Sequence, residues 1–271
     1  MSVAEPPEEP RTHAVQAVQR TLRLLTNLGE AGAVGAPLSA LARVAGLSEP
    51  TALRYLRTLV DGEFVEHDQA TGRYRLGLGV LVLGERALGD VDPRPLVLPY
   101  MEQLRDAFGH TVNLAAFRNG RIVLIEVLEG SRSIKKGARV GEEDQLHSTA
   151  LGKALLASLP RTRALELLAD HGMPSITAHT IVTQEAMEAE LDRVAARGYA
   201  TDEEEGEEGL RCVGVAIRDR RATPSYGLSV SAPVQALDRD DSEQIGAALV
   251  DAARELSRRL GHRAETAAPV A

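Results

Sequence analysis

The sequence predicts an α+β protein in two parts: a small helical head closed by a hairpin, and a larger tail in which strands and helices alternate. Three observations lead there. Apolar residues recur at steps of three and four up to about residue 60, period-two apolar runs begin only beyond residue 110, and a proline-bearing stretch, Asp90 to Pro95, falls between. The chain has 271 residues, 44% hydrophobic and 26% charged, enough for one large core or two moderate ones. No apolar run nears the roughly 20 residues of a membrane-spanning helix. The single cysteine, Cys212, rules out an internal disulfide. The opening MSVAEPPEEP has no basic flank and no apolar stretch, so the expected compartment is the cytoplasm.

Charge divides unevenly. The net charge is -8, yet residues 11–75 hold eight Lys/Arg against six Asp/Glu, while 76–271 hold 23 against 30. A mildly basic head on an acidic body suits a nucleic-acid-binding module joined to a domain with another task.

The elements follow in order. Residues 1–12 read as a disordered leader. Residues 13–28 place Val15, Val18, Leu22 and Leu25 on one helix face, with Gly29 and Gly32 expected to stop it. Leu38 to Ala45 is a short second helix with Leu38, Leu41, Ala42 and Ala45 inward, and Gly46 stands where a left-handed residue closes a helix. Ser48 can cap a third helix, and Pro50 suits its first turn, whose amides lack partners. This helix buries Ala52, Leu53, Leu56, Leu59 and Val60. Its other face shows Thr51, Arg54, Tyr55, Arg57 and Thr58, side chains that can donate to phosphates and reach base edges. Phe64 to His67 and Arg73 to Leu76, joined by DQATG, read as a hairpin with Arg73 and Arg75 near its tip. Together these make a winged helix-turn-helix over 13–77: a recognition helix for the major groove and a wing for the backbone.

Leu78 to Leu88 continues as an apolar helix within a linker over 78–94. A sensor-like domain is expected over 95–262 and a disordered tail over 263–271. Its elements are a helix from Pro95 to Phe108; strands Thr111 to Arg118 and Arg121 to Leu128 around an Asn119-Gly120 turn; helices at about 149–158, 161–170 and 184–197; strands at about 211–219 and 223–232; and an amphipathic helix from Ser242 to Leu260. Hairpins mixed with helices imply an antiparallel sheet with helices packed on it. Three clusters invite chemistry. His147 to Lys153 leads into a helix whose free amides suit an anion, or is an ordinary capped start. The acidic run from Asp202 to Glu205, with Glu207 and Glu208, reads as a solvated loop without the spacing of a hard-ion site. Cys212 opens an apolar strand and reads as buried and inert.

The segments VQAVQRTLRLL, LSALARVAGLSEPTALRYLRTLVDGEFVE and GRYRLGLGVLVLG resemble the DNA-binding half of the IclR-type (isocitrate lyase regulator) transcriptional regulators. TVNLAAF, LHSTALGKALLASLP, RGYATDEEEGEEGLRCVGVAIRD and LSVSAP resemble the second half, in the family's order and spacing, so the likeness spans about residues 13–262. It implies a GAF-like effector-binding fold for the tail. It also implies an effector pocket built from the amides of Ala150 and Leu151 with Asp202, Cys212, Ser229 and Ser231, trimmed by neighbours such as Leu128, Leu146 and Leu210. The recognition helix departs from the family at Glu49, Pro50 and Leu53, while Thr51 and Arg54 match, so a family operator sequence does not transfer.

The function expected is therefore a regulator, more often a repressor, that binds a palindromic double-stranded DNA operator through Thr51, Arg54, Tyr55, Arg57, Arg73 and Arg75 and responds to a small organic acid or polyol. Homodimers, paired into a dimer of dimers, are expected as the assembly, with no catalytic residue, metal, cofactor or membrane partner. Two alternatives stand beside this: a regulator whose tail only holds the oligomer together, and a hydrolase using Ser148 and His147. The second lacks a G-x-S-x-G elbow, and adjacent Ser and His pair poorly as nucleophile and base.

Overall fold

The computed structural model describes residues 15–88, 92–131 and 138–262. The expected leader and C-terminal tail, and residues 89–91 of the expected boundary, lie outside the described residues. The chain divides into two compact units between Asp92 and Pro93.

The first unit opens with α1 (Gln16–Ala31), a 3₁₀ turn (Gly32–Val34) and β1 (Ala36–Pro37), followed by α2 (Leu38–Ala45) and α3 (Glu49–Asp61). The wing is β2 (Val65–Asp68) and β3 (Arg73–Leu76), and α4 (Leu78–Leu88) follows. The sheet order is β1-β3-β2, antiparallel throughout, so the expected hairpin gains a third, two-residue strand that the pattern did not reveal. Gly46 adopts the left-handed conformation at φ 65°, ψ 41°, and the Leu47 amide donates back to the Ala42 carbonyl, closing α2 as expected. Ser48 sits at the start of α3, but its hydroxyl meets that of Thr51 at 2.9 Å and caps no amide.

The core of this unit joins Leu24, Leu28, Leu41, Leu56, Leu59, Val65 and Tyr74. Of the apolar face expected on the first helix, only Leu25 packs against this core. Val15, Val18 and Leu22 are 63%, 55% and 57% exposed, whereas Leu24 and Leu28 are fully buried. The helix carries two apolar stripes about a third of a turn apart, and the one holding Leu24 and Leu28 joins the core with α2 and α3. Gly29 lies inside the helix, and Gly32, with φ at 57°, ends it.

The second unit runs α5 (Arg94–Phe108), β4 (Thr111–Arg118), β5 (Arg121–Leu128), β6 (Glu143–Asp144), α6 (Ala150–Ala157), α7 (Arg161–His171), α8 (Gln184–Arg197), β7 (Ala200–Glu203), β8 (Leu210–Arg218), β9 (Pro224–Pro233) and α9 (Arg239–Arg259). Asn119 and Gly120 both take positive φ, 52° and 79°, as a two-residue hairpin turn requires. The strands form one antiparallel sheet in the order β6-β5-β4-β9-β8-β7. α9 starts three residues before the expected Ser242, because Asp238 and Asp241 form a reciprocal capping box.

Alternation along the strands divides the sheet. Val213, Val215, Leu228 and Val230, all essentially buried, face the side covered by α5 and α9. On the other side Ala115 and Leu124 pack with Leu151, Leu155 and Leu156 of α6, then with Leu167 of α7 and Leu191 of α8. α6 lies unusually close to the sheet. A Cβ on Gly214 would stand 2.9 Å from the Ala150 carbonyl carbon, and one on Gly227 2.7 Å from a Leu151 methyl.

Candidate effector pocket and DNA-binding face

Register builds the pocket. Asp202 on β7 pairs with Cys212 on β8, Cys212 with Ser231 on β9, and Ser231 with Thr111 on β4, so four side chains stand in one row across four strands. The next row in the same face is Ala200, Gly214, Ser229 and Asn113. Gly214 in this second row lets the start of α6 settle directly onto the sheet there, leaving the first row open beside it. Between helix start and sheet lies a cavity of about 330 Å³. All six residues implied for the effector, Ala150, Leu151, Asp202, Cys212, Ser229 and Ser231, line it.

The helix start contributes donors. Thr149 caps α6 by accepting from the Gly152 amide at 3.0 Å, and its hydroxyl donates to the Gln145 carbonyl at 2.7 Å. The Lys153 amide makes the first intrahelical bond, to the Thr149 carbonyl. The amides of Ala150 and Leu151 thus lie in the first turn, where no carbonyl of the helix can receive them. The capped-helix reading and the binding reading coexist.

Two lining residues were not expected in the pocket: Asn113, which the sequence reading passed over, and Ser148, which it singled out only within the helix start and as a hydrolase candidate. Asn113 is buried in the middle of an apolar strand; its Nδ2 donates to Ser229 Oγ at 3.3 Å and Ser231 Oγ at 3.1 Å, while its Oδ1 has no hydrogen-bond partner. Ser148 is fully buried, and its Oγ is also unpartnered. An unpaired buried polar atom is costly in a folded protein and calls for a function. A polar residue at an inward position of TVNLAAF was the available signal for Asn113. For Ser148 no period marked the side. Among the apolar neighbours expected at the wall, Leu210 lines the cavity; Leu146 is buried in the core beneath α6, and Leu128 stands outside the lining, with Leu124 and Ile176 at the wall instead.

The acidic run is not a solvated loop throughout. Asp202 and Glu205 are buried, because β7 carries Asp202 into the sheet and Glu204, in the left-handed region at φ 62°, turns the chain back. Asp202 Oδ1 accepts from the Glu205 amide at 2.7 Å. Burial drives the Asp202 carboxyl up to about 7 against this bond, and burial beside Glu142 drives the half-buried Asp144 to about 6. Glu205 is raised by burial but held back by the ammonium of Lys153, itself 1% exposed and in direct contact with it. The hydroxyls of Thr177 and Thr180 donate to the carbonyls of Glu204 and Glu205, tying the loop before α8 to this turn. Burial and the nearby Asp202 push the Cys212 thiol well above its ordinary range, so it stays protonated and inert. His147 Nε2 is bonded to the Pro174 carbonyl at 2.9 Å, so His147 and Ser148 form no nucleophile and base pair.

In the first unit, Arg54 and Arg57 are exposed on α3, with Thr51 and Tyr55 half-buried. Tyr55 leans against the core, and Thr51 is engaged with Ser48. On the wing, Asp68 accepts from the Ala70 and Thr71 amides and fixes the hairpin loop, and His67 stacks on Tyr74 at 4.4 Å between ring centres. Arg75 pairs with Glu66 across the strands at 2.7 Å while remaining half exposed. Arg73 Nε is buried without a partner.

Two family models match the chain: the IclR helix-turn-helix domain over residues 17–69 and the bacterial transcriptional regulator IclR C-terminal domain over 85–258. The chain is 33% identical over 225 residues to the HTH-type transcriptional regulator KdgR of Dickeya chrysanthemi, covering 83% of this chain and 74% of that one. It is 34% identical over 226 residues to the glycerol operon regulatory protein of Streptomyces coelicolor, covering 83% and 88%. The crystal structure of the Thermotoga maritima IclR superposes with a TM-score of 0.75 at 28% identity, covering 90% and 98%. With a C-terminal model spanning more than half its length and relatives above 30% identity over most of it, the chain belongs to the IclR family of bacterial transcriptional regulators.

Proposed function

We propose that this regulator binds a palindromic operator in double-stranded DNA through Thr51, Arg54, Tyr55 and Arg57 of α3 and through Arg73 and Arg75 of the wing. A small molecule held by the Ala150 and Leu151 amides, Asp202, Cys212, Ser229 and Ser231 shifts that affinity. Asn113 and Ser148 join the pocket. The observation that carries the reading is the convergence of a helix start and two polar rows on one cavity in which buried polar atoms lack partners. A sheet that only held an oligomer together would have no use for them.

The protein acts as a homodimer, further paired into a dimer of dimers. Val15 just before α1, Val18 and Leu22 on it, and Leu78, Leu81 and Leu83 on α4 are each more than half exposed, an apolar surface that a second copy would cover. A two-fold assembly matches the two half-sites of a palindrome. Repression is the direction of control in this reading, supported by relatives such as the transcriptional repressor IclR of Escherichia coli. The site of action is the cytoplasm; no described helix is long and apolar enough to cross a membrane.

Selecting fragments of the parent genome with purified protein tests the whole reading. Enrichment of a palindromic site, released or tightened by a metabolite linked to the adjacent genes, is the expected result. Binding that shows no sequence preference at matched salt would refute it.

A further inference from the structure

The wing carries its charge as a ladder on one face. Val65, His67, Tyr74 and Leu76 alternate along the two strands with Glu66, Asp68, Arg73 and Arg75, and Val65 and Tyr74 belong to the core, so the charged four share the outward face. Register sets Glu66 opposite Arg75 and Asp68 opposite Arg73. Two carboxylates against two guanidiniums leave residues 65–76 with no net charge. Asp68 stays ionised, because the Thr71 hydroxyl and the Ala70 amide donate to it and hold its carboxyl below the usual range. Such a face is poorly suited to meeting the phosphate backbone through charge alone.

The pairing at Arg75 has a defined geometry. Its Nε and Nη2 both donate to Glu66 Oε2, at 2.8 Å and 2.7 Å, although both side chains remain about half exposed. One edge of the guanidinium is thereby occupied, and the remaining donors, on Nη1 and the far side of Nη2, are left for another partner. A free arginine on a hairpin follows any phosphate within reach, which adds affinity without sequence information. A tethered one has already lost that freedom and offers its open edge in one direction, as a directed contact requires. We propose that Glu66 is a positioning residue that sets DNA specificity: by holding Arg75 it withdraws that charge from sequence-independent attraction to phosphates and fixes the direction of the guanidinium's open edge.

This rests on the reading of the wing as a DNA contact. The pair is open to solvent and therefore weak, so a better-aligned acceptor on an operator can displace the carboxylate. A cross-strand pair that only steadied the hairpin would alter melting and leave the salt dependence of DNA binding untouched, which separates the two roles.

The test is fluorescence anisotropy of the full chain with a labelled duplex of random sequence, about 30 base pairs long, at salt concentrations from about 50 to 200 mM. Parent, Glu66→Gln, Arg75→Gln and the double variant are compared. Arg75→Gln alone should leave the slope of log affinity against log salt unchanged. Glu66→Gln should steepen it by about 0.9 for each wing engaged and tighten binding by up to about eightfold per wing at 0.1 M salt, the counterion release of one phosphate contact. In the double variant the slope should return to the parent's. On an operator recovered by genomic selection, Glu66→Gln should lower the ratio of operator to random-duplex affinity severalfold. Equal melting temperatures check the fold, and Glu66→Thr, suited to a strand, repeats the test if the glutamine variant melts lower. A flatter slope for Arg75→Gln in the otherwise unchanged chain would show Arg75 already following phosphates; the proposal would fail and the wing reading stand. Equal steepening with and without Arg75 would also overturn the proposal, since loss of a negative charge near DNA would then suffice. An unchanged operator ratio would remove the role in specificity. No response to either substitution, alone or combined, takes the wing off the DNA and overturns both readings.

Discussion

Replacing Lys153 by Met should be among the most damaging single changes in the second unit. Lys153 is 1% exposed and its ammonium contacts Glu205, which is itself buried and has its second oxygen unpartnered. Removing the cation leaves a carboxylate buried with no counter-charge, a change that costs about 3–5 kcal/mol when one member of a buried pair is lost. At about 2–4 °C per kcal/mol for a unit of this size, its melting temperature should fall by roughly 6–20 °C. Glu205 also anchors the turn beyond Asp202, since its amide donates to Asp202 Oδ1 and its carbonyl receives the Thr180 hydroxyl. The damage should therefore reach the pocket. Adding Glu205→Gln removes the orphaned charge and should restore most of the loss. Differential scanning calorimetry of the parent, both single variants and the double variant at pH 7.5 measures the coupling. A drop under about 1 kcal/mol for Lys153→Met, or no rescue by the second change, would show that the pair is not the electrostatic keystone of this turn.

Three further outcomes are expected. Arg54→Ala should weaken operator binding by about 1–3 kcal/mol and relax discrimination at one position if the guanidinium meets a base; a mobility shift equal to the parent's would take Arg54 out of the interface. Leu22→Glu puts a charge into the exposed α1 stripe and should shift light scattering at micromolar concentration toward monomer, whereas an unchanged mass would put the interface elsewhere. Asp202 titrates near 7 when folded against an ordinary 3.8, so its contribution to stability is complete below about pH 4 and is lost as pH rises through about 7, on the order of 4 kcal/mol in all. Asp202→Asn should flatten that part of the pH–stability curve, and a variant as pH-dependent as the parent would assign the slope to another group.

Much of this was legible in the chain because period and punctuation agreed. α2, β4, β5 and α8 fall at their expected bounds, since each has a clean apolar period and a capping or turn residue at its end: Gly46, Asn119-Gly120, Thr183, Gly198. What escaped depends on partners distant in sequence. The two-residue β1 and β6 are too short to show alternation, and β7 hid inside the acidic run because the burial of Asp202 is set by Cys212 across the sheet and that of Glu205 by Lys153 from α6. On α1 two apolar faces look alike in the sequence until neighbours choose between them, and the core takes Leu24 and Leu28 rather than Val15, Val18 and Leu22. Family likeness brought Asp202, Cys212, Ser229 and Ser231 to attention; only the register shows that they share a face with Asn113.

The measurement that bears most directly on ligand-controlled DNA binding is a paired titration of the parent and the Ser229→Ala, Ser231→Ala double variant, first with operator and then with effector. Operator affinity without effector should be nearly equal, since both serines lie in the second unit. Effector affinity should fall by about 0.5–1.5 kcal/mol for each neutral hydrogen bond removed, so the variant should hold DNA at effector levels that switch the parent. Equal effector sensitivity in both proteins would contradict the placement of the pocket, and loss of DNA binding before any effector is added would mean that the serines support the fold.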